Sequence, residues 1–156
     1  MAATQGFDKA RKRLNDLSDR LLTPRECLQA IGRTARRAHV NYFKGAGALG
    51  SSGGGPPGEP WPGLEPKTIK RKLKKKETQK LVTSRGILKN SYAYQVRDRV
   101  MELRNTAKHA YFLQSGIGKA KKKFIVVAVD PEKHDPALWS KIKAIAQKWI
   151  MQGRTE

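Results

Sequence analysis

Three histidines and one cysteine are the residues most able to do acid–base, metal or nucleophilic chemistry in this 156-residue chain. His39, His109 and His134 are scattered, and neither an HxxxH nor an HExxH spacing occurs. No Ser, Cys or Lys is flanked by a base in a recognisable nucleophile motif. Cys27 alone cannot form an internal disulfide or a multi-cysteine zinc site, and its apolar neighbours indicate a small buried group. The sequence therefore predicts no enzyme and no cofactor.

A short acidic cluster precedes the C-terminal segment and consists of Asp130, Glu132, His134 and Asp135. A metal site here would need ligands one and two residues apart on a loop. Asp135-Pro136, in contrast, has the residues that begin a helix, a capping side chain followed by proline. A turn followed by a helix cap is therefore the favoured interpretation.

Positive charge is the strongest compositional feature, because 33 Lys and Arg against 13 Asp and Glu give a formal net charge of +20. Such a surface repels copies of itself and attracts polyanions, so the working environment must contain nucleic acid, an anionic membrane or an acidic protein surface. No apolar run approaches the roughly 20 residues of a membrane span. Aromatic residues, 7% of the chain, are too few for a stacking platform of the single-strand-binding kind.

The charge is densest in residues 67–80, KTIKRKLKKKETQK, where eight basic residues stand against one glutamate. Ile69 and Leu73 are four apart, which permits a short helix. The composition is typical of a solvated arm that orders on meeting a partner, and also of an electrostatic footprint on phosphates, and the two interpretations are compatible. Residues 116–123 form a second basic loop. The predicted contacts to DNA or to an acidic partner are Lys70, Arg71, Lys72, Lys74, Lys75, Lys76, Lys121, Lys122 and Lys123.

Residues 1–44 are predicted to form a pair of helices. The second is expected from about residue 24 to residue 43, with Thr23 as its cap and Glu26 completing a capping box. Arg33, Arg36 and Arg37 on this helix are interpreted as a solvated face. Apolar residues recur at spacings of three and four on both helices. They are Phe7, Ala10, Leu14, Leu17 and Leu21 on the first, and Leu28, Ile31, Ala35, Ala38 and Tyr42 on the second.

Residues 45–66 form a Gly/Pro-rich arm. Eight glycines and four prolines between positions 45 and 63 exclude a regular element, so the segment is a linker or a functional arm, with Trp61 as its only large apolar anchor. A phosphate-binding loop is excluded because no Gly-Lys-Ser/Thr follows the glycines.

Residues 81–129 are predicted to be the sheet core of a single domain. The runs at 91–96 and 100–104 alternate in polarity and are most simply an antiparallel hairpin, which needs other elements to cover its apolar face. FIVVAV at 124–129 fits a buried strand. Apolar spacing over residues 135–152 predicts an amphipathic helix that ends at Gly153. The expected fold is α+β, a small antiparallel sheet covered by the N-terminal helical pair and the C-terminal helix.

The order of these features resembles the phage virion morphogenesis proteins, a family that includes tail completion proteins of contractile-tailed phages. That family has an N-terminal helical pair, then a Gly/Pro-rich segment leading to a Trp and a Thr followed by basic residues, which here reads GEPWPGLEPKT at residues 58–68. An alternating strand pair, a segment ending in Gly116 and an amphipathic helix complete the pattern. Between the basic residues and the strand pair the family has a Leu, a Ser or Thr, a Gly, a Leu and a Ser in close order. The matching residues here are Leu81, Ser84, Gly86, Leu88 and Ser91.

The resemblance implies a structural virion protein without catalysis, assembled in the host cytoplasm into a ring of six or twelve subunits in the neck of the particle. Such a ring completes the tail or joins head and tail. The implied partners are further copies of the chain, adjacent neck, portal-adaptor or tail-tube proteins, and genomic DNA in the channel, with no membrane. We expect Trp61 and Leu64 to anchor the arm on a neighbouring subunit while the basic segment faces DNA or an acidic partner ring.

A free nucleic-acid-binding protein is the alternative, with the same basic segments as its working surface. Salt discriminates between the two hypotheses. A free binder holds DNA or RNA as a monomer with steep salt dependence, whereas a neck component forms rings or binds virion proteins and holds nucleic acid weakly.

Overall fold

The computed structural model describes residues 2–43, 54–57, 61–63, 65–75, 87–115 and 130–155. Within these ranges the fold is α+β, as predicted. The elements in chain order are α1 (Ala2–Leu22), α2 (Arg25–Asn41), α3 (Pro66–Lys74), α4 (Ile87–Asn90), β1 (Tyr92–Arg97), β2 (Val100–Asn105), α5 (Ala110–Ser115), α6 (Pro131–His134) and α7 (Pro136–Gln152).

The two N-terminal helices are confirmed, but the predicted cap between them is wrong. The backbone N–H and the hydroxyl of Thr23 both donate to the carbonyl oxygen of Asp19, at 3.0 and 2.7 Å, so Thr23 closes the end of α1. Pro24 occupies the N-cap of α2, without a side-chain cap hydrogen bond. The hydroxyl is therefore used by the helix that precedes it and does not form a capping box with Glu26.

Helix α2 is the central element, since it packs against the hairpin on one side and against α7 on the other. Its buried residues are Cys27, Ala30, Gly32, Ala35 and His39, and Tyr42 and Phe43 just beyond its end are buried too. Of the predicted inner face, Ala35 and Tyr42 are buried, while Leu28, Ile31 and Ala38 are half-buried.

Strands β1 and β2 form the predicted antiparallel hairpin. Tyr92 pairs with Asn105 and Arg97 pairs with Val100, which leaves a two-residue turn at positions 98 and 99. Asp98 takes a left-handed conformation there, with φ of 50°, which Asp tolerates better than most residues. Among the described residues these two strands are the whole sheet, and the strand predicted at 124–129 lies outside them.

An aromatic cluster joins the hairpin to the end of α2. The rings of Phe43 and Trp61 meet edge to face with centroids 4.8 Å apart. This geometry is favourable for aromatic pairs, and it fixes one residue of the Gly/Pro-rich arm in the core. These rings belong to a hydrophobic core cluster whose buried members are Tyr42, Phe43, Trp61, Leu88, Tyr92 and Ala110.

Helix α7 begins and ends where the sequence predicts. The Asp135 side chain accepts a hydrogen bond from the backbone N–H of Leu138 at 2.9 Å, and Gly153 ends the helix in the left-handed conformation with φ of 68°. Leu138 and Trp149 are buried on its inner face. Arg20 near the end of α1 donates to the carbonyl oxygen of Ile150 at 3.0 Å, so the two helices are joined at their C-terminal ends.

Candidate functional site

The acidic cluster before α7 serves as two helix caps. Oδ1 of Asp130 accepts from the backbone N–H of Lys133 at 3.3 Å and caps α6, and Asp135 caps α7. The interpretation as a turn and helix cap is therefore confirmed. In the part of the chain that the structure describes, no three or more His, Cys, Asp or Glu residues group as metal ligands would.

A buried polar contact crosses from α2 to α7. The Tyr42 hydroxyl donates to Oδ2 of Asp135 at 2.9 Å, and His39 lies beside Tyr42 with ring centroids 4.8 Å apart. Burial raises the pKa of Tyr42, and the neighbouring Asp135 carboxylate raises it further. Burial lowers the pKa of His39, against the opposing effects of a hydrogen bond to Ala35 and of the Asp135 charge. Both shifts favour the neutral forms, a phenol at Tyr42 and a neutral imidazole at His39. The hydrogen bond between Tyr42 and Asp135 joins the end of α2 to the start of α7.

Cys27 is buried, as predicted, and burial raises the pKa of its thiol. A raised pKa disfavours the thiolate, which is the nucleophilic form. His109 is exposed on the segment before α5, and His134 is half-buried in α6. The structure therefore brings the three histidines to three different places.

The predicted basic contacts fall into three groups. Lys70, Arg71, Lys74 and Lys75 are exposed on and just after α3. Lys72 is only 5% exposed, so its side chain lies inside the single chain, and its contact with DNA or an acidic partner stays a prediction. Lys76, Lys121, Lys122 and Lys123 lie outside the described residues.

Trp61 and Leu64 were expected to reach a neighbouring subunit. Trp61 is 1% exposed within its own chain, and its backbone N–H donates to the carbonyl oxygen of Gly54 at 3.0 Å. Its ring therefore anchors the arm to the core of its own chain in this structure. Leu64 lies outside the described residues, and its contact with a neighbour stays a prediction.

Two cavities lie along the exposed face of α2. We call the one beside β1 the arginine groove; its volume is about 660 Å³, and it is lined by Arg33, Arg36, Arg37, Val40, Asn41 and Tyr94. The other, toward α7, has about 690 Å³ and includes Thr34, Asp135 and Lys141 in its lining. Because Arg37 and Asn41 line both, the two cavities adjoin along the helix.

Two contacts fix the walls of the arginine groove. Nε of Arg36 donates to the carbonyl oxygen of Tyr92 at 3.0 Å, which ties the guanidinium to β1. The ring of Tyr94 lies directly against Gly32, at a place that a Cβ atom would occupy. A glycine is therefore required on α2 for the tyrosine to lie this close to the helix.

All three arginines are exposed, which agrees with their interpretation as a solvated face, but the sequence does not indicate the groove that they line. The signal that could have found it was their spacing, since positions 33, 36 and 37 share one helix face. The other wall could not be read from α2 alone because Tyr94 belongs to a strand more than 50 residues away.

A family model matches most of the chain, over residues 6–134, and its family is described as the phage virion morphogenesis family. The chain belongs to the phage virion morphogenesis family. The resemblance drawn from the short motifs is thereby confirmed, and the protein has a structural role in building the phage virion. Searches of curated proteins and of solved structures found no significant match.

The matched region of this phage virion morphogenesis protein includes every residue of the arginine groove and ends at His134, one residue before the cap of α7. The groove therefore lies inside the region that the family model matches, whereas α7 lies after the end of that region. None of the helices in the described ranges is long and apolar enough to cross a membrane.

Proposed function

We propose that this protein is a structural component of the neck of a tailed phage, where copies of it form a ring that completes the tail or joins head and tail. Membership of the phage virion morphogenesis family supports a role in particle assembly. The observation that carries the ring is the α1 stripe, defined as Phe7, Leu14 and Leu21, which are 80%, 66% and 54% exposed.

The α1 stripe is a helix face without a partner in the described part of the single chain. Its residues are seven apart, so they lie on one side of α1. Apolar side chains repeated along one exposed face mark an interaction site, since burying each one stabilises a complex by roughly 1.5–3 kcal/mol. The proposed occupant is a second copy of this chain.

A closed ring needs a heterologous contact, in which the surface that binds differs from the surface that is bound. Tyr111 and Phe112 on α5 offer such a second surface, because they are 67% and 51% exposed and their rings contact each other. Packing of the α1 stripe of one subunit on α5 of the next would repeat around the ring. The net charge of +20 opposes association, so assembly is expected to be favoured by salt.

Particle assembly tests the neck role directly. Phages that lack the protein are expected to accumulate DNA-filled heads and separate tails, which electron microscopy of lysates distinguishes from joined particles. Joined, infectious particles in its absence would overturn the neck assignment.

Substitution of the stripe tests the ring. Leu14→Gln with Leu21→Gln is expected to reduce the mass of the purified assembly, measured by analytical ultracentrifugation at moderate and high salt, and to fail in complementation. Val100→Gln with Ile87→Gln is a matched control, because it also replaces two exposed apolar residues by glutamine but lies on the hairpin and on α4. A stripe variant that assembles and complements like the control would refute α1 as the ring contact.

A further inference from the structure

We propose that the arginine groove binds the phosphodiester backbone of DNA, with Arg33 and Arg37 as the principal phosphate contacts. The inference deepens the proposed function and rests on it for the source of the ligand, which is the genome that passes through the neck. It assigns the contact to α2, whereas the sequence alone pointed to the lysine-rich segment that contains α3.

The spacing of Arg33 and Arg37 along α2 suits a chain of phosphates. Arg33 and Arg37 are one helical turn apart, about 6 Å along the axis, which is close to the rise of two nucleotides in a duplex strand at about 3.4 Å each. Arg36 lies between them, and its bond to Tyr92 uses only Nε, so its two NH₂ groups carry further donors. Planar guanidinium groups bind phosphate oxygens in a bidentate manner.

The lining of the arginine groove contains no carboxylate among the described residues. Asp135 lies in the adjoining cavity, but it is buried, and its two oxygens accept hydrogen bonds from the Tyr42 hydroxyl and the Leu138 N–H. Lys141 adds a positive charge on that side. A concave surface lined by charges of one sign focuses the potential, which favours a polyanion over a neutral ligand.

The uncharged residues of the groove also suit a nucleic-acid backbone. Asn41 carries an amide, and Tyr94 is held against Gly32 so that its ring forms a fixed wall. Arg, Asn and Tyr side chains are common donors to phosphate and sugar oxygens, and such contacts position DNA without reading its sequence. Binding without sequence preference is what a channel for a whole genome requires.

Binding of a fluorescent random-sequence DNA duplex by the full chain tests the proposal, with anisotropy measured at several salt concentrations. The groove variant is Arg33→Gln with Arg37→Gln. The control is Arg99→Gln with Arg104→Gln, which removes the same number of charges from exposed arginines of the hairpin that do not line the groove. Arg36 is left unchanged because its bond to Tyr92 supports the fold.

We expect the groove variant to bind about ten-fold or more weakly than the wild type. The slope of log K against log salt should fall by about two, one for each phosphate that the variant no longer neutralises. The control is expected to weaken binding by less than about three-fold. A charge-preserving variant, Arg33→Lys with Arg37→Lys, should keep the salt slope but bind more weakly than the wild type, since lysine lacks the guanidinium fork. Circular dichroism confirms that each variant is folded.

Three results would overturn the inference. The first is equal weakening of DNA binding in the groove and control variants, and the second is no DNA binding by the wild type at low salt. The third is displacement of DNA by poly-glutamate that added DNA does not reverse. The last would assign the groove to an acidic protein surface. The mass of the assembly, measured on the same variants, separates this inference from the proposed function. A groove variant that forms intact assemblies but binds DNA normally refutes the groove alone.

Discussion

The Tyr42 hydroxyl donates a 2.9 Å hydrogen bond to Oδ2 of Asp135, whose other oxygen accepts from the N–H of Leu138. One carboxylate thus caps α7 and joins it to the end of α2. Both residues are buried, and the raised pKa of Tyr42 keeps the phenol protonated as a donor. The contact fixes the wall of the cavity toward α7, which both residues line.

Removing this hydroxyl is expected to destabilise the protein. Tyr42→Phe keeps the ring but leaves a buried carboxylate oxygen without its donor, which should lower the free energy of unfolding by about 1–3 kcal/mol. Urea denaturation followed by circular dichroism measures the change. Tyr111→Phe, at an exposed tyrosine, should stay within about 0.5 kcal/mol of the wild type. Equal effects of the two substitutions would contradict a structural role for the Tyr42–Asp135 bond.

Two glycine substitutions are expected to change stability in opposite directions. Gly55 has a φ of 82°, and a Cβ there would lie 2.7 Å from Cδ1 of Trp61, so Gly55→Ala should destabilise by about 1–3 kcal/mol. Gly6 lies in α1 with nothing within 4 Å of such a Cβ, so Gly6→Ala should stabilise by about 0.5–1 kcal/mol. Thermal unfolding compares the two. A neutral Gly55→Ala would show that the arm is not fixed against the core through Trp61.

The elements that the sequence predicted well are those specified by local chemistry. The 3.6-residue apolar repeat located α1, α2 and α7, and alternation located the hairpin. Asp135 and Gly153 marked the two ends of α7 because a cap and a left-handed terminus depend on residues within one turn.

The features that the sequence did not predict depend on contacts between distant segments. Thr23 could cap either of two helices, and its local sequence does not decide which. The apolar repeat of α1 shows one apolar face, but Leu14 remains exposed because periodicity does not specify what covers that face. Lys72 lies in a segment whose composition predicts an exposed basic surface, and Trp61 lies in a Gly/Pro-rich arm. Tertiary packing nevertheless buries both side chains.

The candidate site shows the same limit. The three arginines were visible on α2, but the arginine groove exists only because β1 brings Tyr94 against Gly32 and places the Tyr92 carbonyl beside Arg36. A family resemblance gave the role in assembly without indicating this surface. Contact with DNA was therefore predicted from charge density, which favoured the lysine-rich segment.

His39 should make stability depend on pH. It is 1% exposed, its ring lies near those of Tyr42 and Tyr92, and its Nδ1 donates to the Ala35 carbonyl at 2.7 Å. Burial holds its pKa below the ordinary value of 6.5. Between the lowered pKa and about 6.5 the unfolded chain binds more protons than the folded one. The contribution of the neutral His39 to the free energy of unfolding is therefore complete above about pH 6.5 and is lost as the pH falls.

The slope from one such proton is at most about 1.4 kcal/mol per pH unit. His39→Gln removes it, so the difference in unfolding free energy between wild type and variant should shrink as the pH is lowered from neutrality through the window below about 6.5. Urea denaturation at a series of pH values measures that difference. His109→Gln replaces an exposed histidine and is expected to retain the wild-type slope. A constant difference between wild type and His39→Gln across the series would mean that His39 binds a proton equally well in the folded and in the unfolded chain. The imidazole between α2 and the hairpin would then tolerate a positive charge.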